Sequence, residues 1–176
     1  DQAFRFKTRR PRGGFVENIY VERVRANVKR QALYCDMLGS ARWVGELAQR
    51  YPAREITPLT PWFANISIHD VEITGCSTLV DVSALPEKPV KNFFFGNVKA
   101  HCDRIGKICD ATKFSMKDVR IESCDTVMRI DNCDYASFFG FSNVTTGSSV
   151  KIEKTGGECR YLNVQTYPLV PVNYQS

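Results

Sequence analysis

The chain has 176 residues, of which 43% are hydrophobic and 24% charged, with a net charge of +5. These values suit one soluble globular domain and argue against disorder. No apolar run approaches the roughly 20 residues of a membrane span, and the start, Asp1-Gln2-Ala3-Phe4, carries no apolar signal segment and no Met, which points to a start inside a longer gene product or after processing.

Positive charge is concentrated near the start, where Arg5, Lys7, Arg9, Arg10 and Arg12 fall within eight residues. Such a run suits a polyanion, nucleic acid or acidic polysaccharide, although a solvated loop is the commoner meaning of a lone charge run. Within it, Arg5-Phe6-Lys7 reads as a short strand. Alternation sends the two cations to one face, roughly 7 Å apart, and turns Phe6 to the core. An Arg fork beside a mobile Lys suits two neighbouring carboxylates on a polymer.

The rest of the chain is organised by an internal repeat. Phe15–Val24 aligns with Trp62–Val71 and then with Val90–Val98, sharing Asn-φ-x-φ-x-x-φ, where φ is apolar. Weaker copies follow at Lys113–Val119 and Phe138–Val144. With Phe138 taken in the Asn place, the reference positions 18, 65, 92, 113 and 138 lie 47, 27, 21 and 25 residues apart. A second strand-like run follows each copy: Ala32–Cys35, Thr78–Val82, Gly106–Cys109, Thr126–Ile130 and Ser149–Ile152. Short alternating strands returning with a period in the twenties predict an all-β right-handed parallel β-helix of about five coils, forming one unit over residues 1–176. Ile19, Ile66, Phe93, Phe114 and Phe139 are expected in one interior column. Asn18, Asn65 and Asn92 are expected at a bend, because Asn tolerates left-handed backbone and its amide can bond from coil to coil. A leucine-rich repeat lacks support in leucine spacing, and a β-sandwich does not account for the recurring phase.

Residues 39–61 interrupt the first interval as an insertion. Within them Trp43, Val44, Leu47, Ala48 and Tyr51 follow helical spacing, which predicts a short helix on a loop. Loops of this kind often overhang a binding face. Asp36, Asp81, Asp110 and Asp131 recur near the second strands and read as turn or capping residues. The seven cysteines include no CxxC pair, so no metal site or cofactor is expected, and most read as buried small hydrophobes. His101 and Cys102 are neighbours in a strand, point to opposite faces, and read as structural.

Phe4-Arg5-Phe6-Lys7-Thr8, then Gly13-Gly14, then Val16-Glu17-Asn18-Ile19, resembles the arginine-x-lysine region of the polygalacturonase-like glycoside hydrolases. Thr60-Pro61-Trp62-Phe63-Ala64-Asn65-Ile66-Ser67-Ile68 is similar to that family's following coil. The resemblance implies a parallel β-helix that binds galacturonan and hydrolyses it with inversion, in a secreted or periplasmic setting. Arg5 and Lys7 would then match the substrate-carboxylate pair, with Tyr34 a further sugar contact. Inversion needs an acid and a base on carboxyls about 6.5–9.5 Å apart. The family draws these from Asn-Thr-Asp, Asp-Asp and Gly-His-Gly elements upstream of the arginine-x-lysine region, and only four residues precede Arg5. No catalytic residue is therefore expected in this chain, which supplies the clamp and the C-terminal coils. The competing reading is a non-catalytic acidic-polysaccharide-binding or structural solenoid. Nucleic-acid binding ranks last, because no stacking aromatics accompany the basic run, and no membrane partner is expected. An uncapped first coil would also favour self-association or pairing with another chain.

Overall fold

The computed structural model describes residues 1–166. It is all-β in architecture, with 64% strand and 5% helix. Ten strands run in order: β1 (Phe4–Lys7), β2 (Phe15–Asn27), β3 (Gln31–Asp36), β4 (Trp62–Ser83), β5 (Val90–Glu122), β6 (Val127–Asp134), β7 (Ser137–Asn143), β8 (Ser148–Ser149), β9 (Lys151–Gly156) and β10 (Asn163–Gln165). They join in one sheet whose main path is β1-β3-β4-β5-β6-β9, with β2 on β4, β7 on β5, and β8 and β10 on β7. Every strand pair is parallel except the short β7–β8 pair.

The two strand-like runs of each repeat are found, but β4 and β5 pass through the bends between them as continuous ladders of 22 and 33 residues. Register carries the repeat. Ile19 faces Ile66 and Ile66 faces Phe93, while Val21, Ile68 and Phe95 form the next row, and Val24, Val71 and Val98 a third. The second runs stack as Leu33, Val80, Gly106, Met128 and Ile152. These rows are the core: Ile66, Ile68, Phe93, Phe95, Phe114 and Met116 are all buried, and the Phe93 and Phe114 rings stack at 5.0 Å. Ile19 is only half-buried, because β2 lies at the sheet margin with β4 as its sole strand partner among the described residues.

The bends are built from left-handed residues. Asn18, Asn65, Asn92 and Lys113 have φ of 58°, 54°, 53° and 56°, and a second series, Arg23, Asp70, Asn97 and Asp118, has φ of 54°, 56°, 47° and 53°. Asn65 donates its amide to Asn18 Oδ1 at 3.3 Å, and Asn92 donates to Asn65 Oδ1 at 2.9 Å, forming the expected ladder. A left-handed position costs most L-residues about 1–2 kcal/mol, and Asn lowers that cost by local hydrogen bonding. Asn and Asp, with Lys113 and Arg23, therefore turn the strand while backbone pairing resumes beyond each bend.

The fifth copy differs from its expected phase. Ser115 faces Ser137 and Met116 faces Phe138, so Tyr135 (φ 54°), not Phe138, stands in the Asn place. Phe138 is buried in the row of Met116, whereas Phe139 faces Lys117 and is only half-buried. The apolar spacing of Phe138–Val144 fitted the motif in a shifted phase because a tyrosine, which the motif does not contain, makes the bend. Tyr161 (φ 56°) continues it, stacked on Tyr135 at 4.6 Å.

The helical element in residues 39–61 is shorter than its spacing predicts. A single α-turn (α1, Ala41–Val44) is capped by the Ser40 side chain and followed by a 3₁₀ turn over Gly45–Ala48, with no buried residue in either. Tyr51 lies beyond both. An apolar stripe with no core to cover has little to hold it helical.

Candidate functional site

β1 forms because its alternation matches the sheet beneath it. Phe4 is buried, and the Phe6 ring meets Phe63 at 6.1 Å and Phe93 at 6.2 Å, so Arg5 and Lys7 are left exposed on the outer face. Parallel pairing then fixes what lies beside them. Arg5 is in register with Tyr34, and Lys7 with Asp36. Beyond these, Tyr34 faces Asp81, Asp81 faces Lys107 and Lys107 faces Arg129, while Asp36, Ser83, Cys109 and Asp131 form the adjacent row. Neighbouring strands are about 4.8 Å apart, so Arg5, Tyr34 and Asp81 occupy a stretch of roughly 10 Å.

All three residues singled out from sequence thus share one face, and the structure adds Asp36 as the group that joins Lys7 to Tyr34. Asp36 Oδ2 lies 3.5 Å from Lys7 Nζ and accepts a hydrogen bond from Tyr34 OH at 3.2 Å. Its Oδ1 accepts the backbone N–H groups of Leu38 and Gly39, each at 3.0 Å. The turn role expected of Asp36 is present, and the same carboxylate also orients the cation and the phenol. Partial burial, followed by the charge and hydrogen bond of Asp36, pushes the Tyr34 phenol up to about 12, so it stays a donor at neutral pH. Sequence spacing missed Asp36 because the signal for its second role is its position opposite Lys7, which only the strand register supplies.

The insertion lies along the edge of this face, held by two arginines. Arg10, 4% exposed, binds Glu87 through Nε and Nη2 at 2.7 and 2.6 Å and donates Nη1 to the carbonyls of Leu47 and Gln49. Burial alone would raise the Glu87 carboxyl, but the Arg10 hydrogen bond and charge outweigh it and hold the carboxyl below its usual value. Arg50 grips Asp110 at 2.6 and 2.9 Å and Asp131 at 2.7 Å, and stacks over Tyr51 at 4.8 Å. These hydrogen bonds, above all to Asp110, hold the guanidinium protonated against its desolvation. Asn132 also donates to Asp110 at 2.6 Å. Asp110 and Asp131 are therefore anchors for the insertion. Asp81 does not share their row, since it faces Tyr34 and Lys107.

Two other places collect polar groups. Glu22, His69 and Asp70 bring one ligand atom each to within 4.8 Å of one another. They are already engaged: Tyr20 OH bonds Glu22 at 3.2 Å and His69 Nε2 at 2.7 Å, His69 Nδ1 lies 3.0 Å from Asp70, Asn97 donates to Asp70, and Arg23 pairs with Glu22. A groove of about 460 Å³ is lined by Glu72, Lys99, His101, Arg120 and Glu122, away from Arg5 and Lys7. It is open and of mixed charge, so it gains little electrostatic focusing. His101 and Cys102 point apart as expected, with His101 exposed near Glu122 and Cys102 buried.

No family model, no curated protein and no solved structure matches this chain.

Proposed function

We propose that the Arg5–Lys7–Tyr34–Asp36 face binds the carboxylates of an acidic polysaccharide of the galacturonan or pectin type. The chain is then a set of C-terminal coils from a polygalacturonase-like glycoside hydrolase, exported from the cell. The observation that carries this reading is the pair of exposed cations on one strand, with Phe6 half-buried between them and Asp36 holding Lys7 beside Tyr34. Arg5 has no protein carboxylate within salt-bridge distance among the described residues, so its fork is open to a ligand carboxylate.

The finer fold reading is a right-handed parallel β-helix. It is supported by parallel register that returns at offsets of 47, 27 and 22 residues and by left-handed bends that recur at matching positions. In such a winding the clamp face lines a groove open to a linear polymer, with residues 39–61 along one side.

Hydrolysis with inversion would need an acid and a base on carboxyls about 6.5–9.5 Å apart. Of the carboxylates beside the clamp, Asp36 is committed to Lys7 and Tyr34, and Asp110 and Asp131 to Arg50, and Asp81 alone does not make a catalytic pair. We assign the catalytic pair to a longer protein that contains this chain. The second reading, a binding solenoid without turnover, rests on the same commitment of these carboxylates.

The deciding experiment is titration of the chain with polygalacturonate oligomers, using a neutral glucan of equal length as control. Binding of the acidic oligomer alone, weakened at least tenfold in Arg5→Ala/Lys7→Ala, supports the clamp. Equal binding by wild type and double variant removes it. Reducing-sugar release by the isolated chain would place the catalytic carboxylates within residues 1–176 and overturn that assignment.

A further inference from the structure

The cysteines gain partners that spacing could not supply. Cys76 and Cys102 are in register on the adjacent parallel strands β4 and β5, just past an irregularity in the ladder after Ile73. Both are buried, at 7% and 2% exposure. Registered Cα atoms of neighbouring strands lie about 4.8 Å apart, inside the 4.4–6.8 Å range of disulfides, and both side chains leave the same face of the ladder.

We propose that Cys76 and Cys102 form a cystine that cross-links β4 to β5. Either cysteine can attack first as its thiolate, Cys76 for instance. It displaces one thiol from a low-molecular-weight disulfide such as oxidised glutathione, forming a mixed disulfide. Cys102 then gives up its proton, attacks the Cys76 sulfur and releases the second thiol. Two protein thiols and one small disulfide become one cystine and two small thiols.

The bond would tie β4 to β5 immediately before Thr78–Val82 and Arg104–Ile108, the stretches that carry Asp81 and Lys107 onto the clamp face. It rests on the strand register alone and does not depend on what that face binds. The remaining cysteines provide internal controls, since Cys124 is exposed and Cys35 is buried among apolar residues.

The test equilibrates the whole chain in a glutathione redox buffer, once folded and once in concentrated guanidinium, followed by peptide mapping without reduction. In the folded chain a Cys76–Cys102 peptide lighter by two hydrogens is expected. Its equilibrium constant should exceed that in denaturant by roughly a hundredfold or more. In Cys76→Ala, Cys102 should remain a free thiol. Equal constants in the two states, or Cys76 linked mainly to another cysteine in the folded chain, would overturn the proposal. Equilibration by refolding from denaturant in the same buffer gives the buried thiols access to the oxidant, so slow reaction of the native state does not obscure the result.

Discussion

The side-chain amide of Asn92 donates to Oδ1 of Asn65 at 2.9 Å, and both residues hold left-handed backbone, with φ of 53° and 54°. The same two demands, a tolerated positive φ and a hydrogen bond to the next strand, meet again where Asn65 donates to Asn18. Asn65 thus serves two contacts at once. Replacing it with Ala removes both and forces a Cβ-bearing residue without a local acceptor into the left-handed region. The expected loss is about 2–3 kcal/mol by urea unfolding. Asn65→Gly should lose less, because glycine recovers the backbone freedom and forfeits only the hydrogen bonds.

Arg50 is the counter-ion of Asp110, whose side chain is fully buried. Arg50→Ala leaves that carboxylate desolvated and unpaired, and the expected cost is about 3–5 kcal/mol. Arg50→Ala/Asp110→Asn should recover part of it, since the orphan charge is gone. Because the same arginine pins the insertion, limited proteolysis should cut within residues 39–61 faster in both variants. Unchanged cleavage would mean that Arg10 alone holds the segment.

Gly106 has a φ of 104°, and a Cβ there would sit 1.9 Å from the Val80 carbonyl oxygen. The obstacle is backbone on the paired strand and cannot rotate away. Gly106→Ala should therefore destabilise the chain by more than about 3 kcal/mol, or prevent folding, as read by circular dichroism during thermal unfolding.

Tyr34 gives a signature at high pH. Its phenol is raised from 10.0 to about 12 in the folded state, so the neutral form is favoured by folding. The associated stability is present in full below pH 10 and is lost as pH rises from 10 towards 12, because there the unfolded chain releases a proton that the folded chain retains. Tyr34→Phe should flatten that part of the stability profile. Ultraviolet absorbance should show one fewer late-ionising phenol. An unchanged profile would mean that Tyr34 titrates as a free tyrosine.

The rows of the sheet were legible in the sequence because burial imposes alternation, and left-handed bends select Asn. Ile66, Phe93 and Asn65 declare themselves for those reasons. The pattern misleads at the bend made by Tyr135. Tyr135 carries a positive φ that its residue type does not announce, so the apolar spacing of the last copy points to a shifted phase with Phe139 in the core. The clamp was legible as Arg5-Phe6-Lys7, a local alternation. Asp36 facing Lys7, and Arg50 reaching Asp110 and Asp131, join residues separated by 29, 60 and 81 positions, and no local pattern encodes such distances. The cysteines illustrate the same limit, since counting seven says nothing of which two become neighbours.

Because residues 39–61 are fastened by Arg10 and Arg50 to carboxylates, and their helical turns bury no side chain, their outer surface is nearly independent of the core. Mutations there can vary what the neighbouring face accepts while the stacked rows beneath keep their packing. If the neighbouring face binds the polymer proposed above, ligand preference can change over evolutionary time by editing an attachment, provided the two arginines and their carboxylates are retained.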